Sequence, residues 1–218
     1  MDLHFDILPK STRSALEYLS LQEWLKDSNW YLAGGTALAL QVGHRQSVDL
    51  DFFTIDRDFN NDQLLQNFFD NKDWKTDINS KGTVYGELMN AKVSFIAYPF
   101  FLPSEERVLF GFIRILIPND IAVMKVVAIS QRGRKRDFID LYWLMNNGQD
   151  LESVIRRLGK QYPSVAHDYH HILKSLVYFN DAEGDPMPEL RFRVKWEDVK
   201  KYFESKVPAV AKKVVGLQ

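Results

Sequence analysis

One stretch limits what this chain can become. Tyr31-Leu-Ala-Gly34-Gly35-Thr36-Ala-Leu leads into Arg45-Gln-Ser47-Val-Asp49-Leu-Asp51-Phe-Phe. The apolar run before Gly34 reads as a short strand, and residues 36–42 read as a short helix. Two glycines between them let the backbone reverse tightly and approach a ligand closely. Gly43 is placed to stop the helix as a left-handed cap. Over residues 48–53 the pattern suits a strand, so Asp49 and Asp51 share one face while Val48, Leu50 and Phe52 share the other.

This layout brings together two chemistries. A helix that starts just after Gly34-Gly35 aims unpaired amides, and partial positive charge, at whatever precedes it, which favours phosphate. The Thr36 hydroxyl can add a hydrogen bond, although Gly-Gly-Thr is equally the signature of an ordinary capped turn. Two carboxylates on one strand face cannot both be buried unpaired, because desolvation would force protonation. They face water, basic partners or a cation, and Mg²⁺ suits them because it takes one or two carboxylates and then phosphate oxygens.

Further candidates lie downstream. Lys125 falls on an expected helix and can neutralise phosphate, or it lies on a solvated face. Arg136-Asp137-Phe-Ile-Asp140 opens the next helix with Asp137 and Asp140 on one side, where Asp137 could equally serve the helix terminus. Arg132-Gly-Arg134-Lys135-Arg136 concentrates four cations that can clamp a triphosphate, grip an RNA backbone or form a solvated turn.

Composition narrows the rest. A net charge of −1 means that polyanion binding must come from a local patch. With no cysteine there are no disulfides, thiolate zinc sites or thiol nucleophiles. The acidic start, Met-Asp-Leu-His-Phe-Asp, lacks the layout of a signal peptide, and no apolar run reaches the ~18 residues of a membrane span. A cytoplasmic protein without membrane contact is expected. The five histidines show no metal-ligand spacing, and no Gly-Lys-Thr follows the glycines.

Along the chain a helix is expected over 12–26, capped by Ser11, and another from Asn61. Strands are expected at 74–78, 83–88, 92–98 and 110–117. Beyond Pro118 the pattern turns helical: 121–130, 138–146, 151–158, 166–177 and 196–206, with a loop at 181–188. An α/β unit over 1–118 and a helical domain over 119–218 follow.

The blocks Gly34-Gly35-Thr36-Ala-Leu, Gly43-His44-Arg45-x-Ser47-x-Asp49-Leu-Asp51-Phe-Phe, Lys125-Val-Val-Ala128 and Arg136-Asp137-x-x-Asp140-Leu-Tyr together resemble the AbiEii/AbiGii toxin group. That group belongs to the nucleotidyltransferase superfamily with a polymerase-β-like core. The resemblance implies a mixed sheet with flanking helices, then a helical C-terminal domain that completes the nucleotide cleft. It implies that Gly34, Gly35 and Thr36 hold NTP phosphates, with Arg45, Ser47, Arg136 and Asp140 supporting them. Asp49 and Asp51 would bind Mg²⁺ (or Mn²⁺), Lys125 would contact phosphate, and Asp137 would act as acid/base or metal-assisting carboxylate. Implied partners are an NTP, an RNA acceptor such as the 3′ end of tRNA, and a cognate antitoxin. Ser94 stands where superfamily members usually carry a third carboxylate. This departure keeps open a nucleotide- or partner-binding protein on a weakened core. Transfer to a small hydroxyl compound is the remaining alternative.

Overall fold

The computed structural model describes residues 2–104 and 106–216, which divide into two compact units, one ending at Ile117 and one beginning at Pro118. Among the described residues the first unit holds seven strands: β1 (Tyr31–Ala33), β2 (Leu50–Thr54), β3 (Trp74–Ser80), β4 (Thr83–Leu88), β5 (Ala91–Ala97), β6 (Arg107–Phe110) and β7 (Ile113–Leu116). They form one mixed sheet in the order β3-β4-β5-β2-β1-β7-β6. The pairs β1–β2, β3–β4, β4–β5 and β6–β7 are antiparallel, whereas β2–β5 and β1–β7 are parallel. Helices α1 (Lys10–Ser20), α2 (Gly34–Val42) and α3 (Asn61–Gln66) accompany the sheet.

Strand β2 alternates as its sequence requires. Leu50 and Phe52 are buried and Asp51 and Phe53 are half-buried, so the strand presents one apolar and one functional face. Phe52 meets Phe95 of β5 at 5.2 Å, and Trp24, Trp30 and Phe68 bring rings within 6.0 Å of the same Phe95. Several large rings gather around one centre, where aromatic side chains bury much apolar surface.

Two expectations change here. Helix α1 begins at Lys10 behind Pro9 and has no side-chain cap, so Ser11 lies inside it. It stops at Ser20 because the apolar face, Ala15, Leu16 and Leu19, ends there. Leu21 beyond it is exposed, and Glu23–Leu25 is a separate 3-10 turn. The segment expected as one strand over 110–117 is a hairpin whose two-residue turn falls at Gly111-Phe112. Gly43 does take the left-handed cap conformation after α2, with φ 63°.

The second unit is helical: α4 (Pro118–Arg132), α5 (Lys135–Asn146), α6 (Leu151–Arg156), α7 (Leu158–Gln161), α8 (Tyr169–Ser175), α9 (Asn180–Glu183) and α10 (Trp196–Val215). Pro118 suits the first helical position, where its missing N–H costs nothing. Asp150 and Asp168 cap α6 and α8 by accepting from Ser153 N and His171 N. Phe138 is the packing centre, with Phe179, Trp196 and Phe203 at 5.2–5.8 Å. Helix α10 runs beyond the expected residue 206 and continues through Pro208, because Val199, Phe203, Val207 and Val210 extend one buried stripe past it. That packing outweighs the backbone hydrogen bond which proline removes. Among the described residues no helix is long and apolar enough to cross a membrane.

Candidate active site

In the first unit the site forms where β1 gives way to α2. Asp51 lies directly opposite Ala33, the last residue of β1, and directly opposite Ser94 on β5. Gly34 therefore begins beside the carboxylate. A Cβ there would stand 3.1 Å from Asp51 Oδ2, and its φ of 73° is a left-handed conformation that favours glycine. The neighbouring Gly35 gives room to Arg45, since a Cβ on Gly35 would come within 2.3 Å of the guanidinium and 3.3 Å of Ser47 Oγ. Arg45 is 4% exposed and donates from Nη1 to the Gln46 carbonyl at 2.8 Å. Its charge thus lies against the first turn of α2, whose N-terminus already carries partial positive charge. Ala33 at the cap position supplies no side-chain hydrogen bond to that turn. The amides that a Ser or Asp cap would satisfy are left to other acceptors.

Thr36 has a structural task. It is 1% exposed, its hydroxyl meets Ser47 Oγ at 2.8 Å, and it donates to the Asp49 carbonyl. It ties the helix to the residue that enters β2. Asp49 itself stands one residue ahead of the strand. Replacing Thr36 by Val keeps the shape but leaves one buried and one partly buried polar group without this partner. We expect a loss of about 1–3 kcal/mol, read as a fall of roughly 2–10 °C in thermal unfolding.

The donor chemistry fits Mg²⁺. Asp51 Oδ1 accepts from Ser94 Oγ at 2.7 Å, which fixes the carboxylate and leaves Oδ2 on the side of Gly34. Among the described residues no group of three or more His, Cys, Asp or Glu is arranged to hold a metal. The protein donors would be Asp49 and Asp51, a pair that Mg²⁺ accepts when phosphate and water complete its oxygen shell. The expected third carboxylate is replaced by a hydroxyl that orients Asp51.

The second unit gathers a separate cluster. Lys125 Nζ lies 2.6 Å from Asp137 Oδ1 and 2.6 Å from Asp140 Oδ2, and both carboxylate side chains are fully buried. Arg132, half exposed, reaches Asp137 Oδ2 at 3.3 Å. Two cations against two anions balance charge where an isolated ion would be costly. Lys125, Asp137 and Asp140, for which nucleotide roles were expected, are held in one buried network. The basic run is also divided. Lys135 is 6% exposed and donates to the carbonyls of Glu183 and Asp185 beneath the Trp196 ring, and Arg134 pairs with Asp185 at 3.0 Å. Arg136 remains on the exposed side of α5.

The predicted residues thus fall into two groups. Gly34, Gly35, Thr36, Arg45, Ser47, Asp49 and Asp51 meet in the first unit, and Lys125, Asp137 and Asp140 in the second. Ser94 stood out in the sequence by what it replaces, but nothing in its local pattern announced its hydrogen bond to Asp51.

The glycine bend, the adjacent helix N-terminus and Asp51 on β2 lie on a mixed sheet of the nucleotidyltransferase fold. The chain superposes on MenT4, a nucleotidyltransferase toxin from Mycobacterium tuberculosis H37Rv, with a TM-score of 0.57 over 92% of this chain and 86% of that one. Identity there is 17%, so this likeness speaks for the fold. An uncharacterized protein of Aquifex aeolicus (strain VF5) is 37% identical over 203 residues, covering 92% of this chain and 96% of the relative. The family described as nucleotidyl transferase AbiEii toxin, of type IV toxin–antitoxin systems, matches residues 20–214. The chain belongs to that family and is a nucleotidyltransferase of the toxin type.

Proposed function

We propose that this protein is a Mg²⁺-dependent toxin that transfers a nucleoside monophosphate from an NTP to a hydroxyl of RNA, with the 3′ end of tRNA as the leading acceptor. The observation that carries this reading is Asp51 set beside Gly34 at the uncapped start of α2. Amides of that turn, together with Arg45, hold triphosphate oxygens. Asp49 and Asp51 would hold Mg²⁺, which when bound supplies charge neutralisation and orientation of the phosphate. Thr36 and Ser47 keep Asp49 in place, and Ser94 keeps the Asp51 carboxylate turned toward the bend. The acceptor hydroxyl gives its proton to water, its oxygen forms a bond to the α-phosphorus, the bond from that phosphorus to the β-phosphate oxygen breaks, and pyrophosphate leaves. We assign residues 1–118 to the catalytic core and 119–218 to a supporting helical domain, in which Lys125, Asp137 and Asp140 order the start of α5 and present Arg132 and Arg136. Family membership supports a cognate antitoxin as partner, and action in the cytoplasm follows from an RNA acceptor.

Purified protein incubated with each α-labelled NTP, Mg²⁺ and total RNA should place label on RNA with at least one nucleotide. Label on a small hydroxyl compound but not on RNA would overturn the acceptor. Calorimetric NTP binding without any product would identify a nucleotide-binding protein on the same core.

A further inference from the structure

The first unit contains a cavity of about 180 Å³ whose walls include Asn29, Tyr31, Arg107, Arg114, Ile55 and Leu102. Arg114 is incompletely satisfied there. Its Nε donates to the Trp30 carbonyl at 3.4 Å, while its Nη2 is shut off from water and has no hydrogen-bond partner among the described residues. Buried donors are almost always paired, so Arg114 keeps hydrogen-bonding capacity that the chain leaves unused, and its side chain lines the cavity. A second guanidinium, Arg107, lines the same cavity and donates from Nη1 to the Glu106 carbonyl at 2.8 Å. Asp56 is engaged by Asn29 at 3.1 Å and by Thr54 at 2.9 Å. Two arginine forks are suited to phosphate oxygens.

Sheet register connects this cavity to the candidate active site. Leu109 lies opposite Arg114, so Arg107, two residues from Leu109, projects from the same face as Arg114. Leu32 pairs in parallel with Ile115, which puts Tyr31 and Arg114 on one face. Tyr31 lies opposite Phe53, two residues from Asp51, and the Tyr31 and Phe53 rings stack at 6.2 Å. Asp51, Phe53, Tyr31, Arg114 and Arg107 therefore stand on one continuous face. Two strand spacings and two residues of rise place Arg114 roughly 12 Å from Asp51.

We propose that this cavity holds a backbone phosphate of the RNA acceptor between Arg107 and Arg114, on the sheet face that carries Asp51; the proposal rests on the RNA-acceptor reading. Its volume suits a single phosphate group and is below the roughly 300 Å³ at which pockets for whole small ligands begin. The exposed Ile55 and Leu102 at its rim offer apolar surface to an adjoining sugar or base.

The test is fluorescence anisotropy of a labelled ten-nucleotide single-stranded oligoribonucleotide, without NTP, over a range of salt. Arg114→Gln and Arg107→Gln should each weaken binding about tenfold and lower the salt slope by about one. Arg114→Lys should restore the slope without the full affinity, because the fork is lost. Binding of ATP measured by calorimetry should not change. If Arg114→Gln is unstable, the less central Arg107→Gln carries the same reading. Wild-type affinity and slope in both Gln variants would overturn the pocket, as would an unchanged KM for RNA in the transfer assay, and the transferase reading would then survive. Loss of oligoribonucleotide binding in the variants of a protein that never labels RNA would keep the pocket and remove the transferase reading. Stabilisation by inorganic phosphate that depends on Arg114, with no binding of the oligoribonucleotide, would assign the cavity to a free anion and overturn the RNA proposal.

Discussion

Asp51→Asn will reduce nucleotidyl transfer by about 10³-fold or more while leaving thermal unfolding within a few degrees of wild type. The amide has the shape of the carboxylate and can still accept from Ser94, so the local packing survives. Asp51 is half-buried, and its removal opens no cavity in the core. What disappears is the negative charge beside Gly34 that is proposed to hold Mg²⁺ against the triphosphate. Loss of one such electrostatic element typically costs about 4 kcal/mol of transition-state stabilisation, which is the stated thousandfold. Asp49→Asn should behave alike. The measurement is single-turnover label transfer beside a melting curve, and more than a tenth of wild-type transfer in either variant would remove the aspartates from the chemistry.

The other large effect is structural. Lys125→Met should destabilise the helical unit by about 3–5 kcal/mol, because two fully buried carboxylates lose the cation between them. At this chain length that is a fall of roughly 10 °C in the unfolding midpoint. Arg132 compensates only in part, since its side chain is half exposed and its two contacts with Asp137 are both 3.3 Å long. The triple variant Lys125→Met, Asp137→Asn, Asp140→Asn should recover most of the loss, because it removes the charges together. A merely catalytic lysine would show lost transfer with an unchanged melting curve. Denaturant unfolding of the single and triple variants separates the two cases.

These two predictions also show where reading the sequence works and where it stops. The bend at Gly34-Gly35, the left-handed cap at Gly43 and the placing of Asp51 on a strand face all follow from local rules, because glycine conformation and strand alternation need no distant partner. Asp137 and Asp140 were placed on one face correctly, but their complete burial against Lys125 depends on how α4 packs on α5, which spacing alone does not reveal. The same limit applies to Thr36, whose hydroxyl binds residues 11 and 13 positions away. Lys135 belongs to a run of cations that looks solvated until Trp196 and the carbonyls of residues 183 and 185 are brought to it. The end of α1 and the extent of α10 were missed for a related reason, since in both cases the length follows the buried stripe.

Strand β5 puts Ser94 and Phe95 side by side, one hydroxyl steadying the Asp51 carboxylate and one ring at the middle of the aromatic packing. Successive side chains leave a strand in opposite directions, so a shift of the ring is transmitted through a single Cα step to the hydroxyl. Trimming or enlarging Phe95 would therefore register as an aiming error at the acid. For anyone re-engineering this protein, thermal robustness and catalytic alignment are a single adjustable quantity at that point of the sheet.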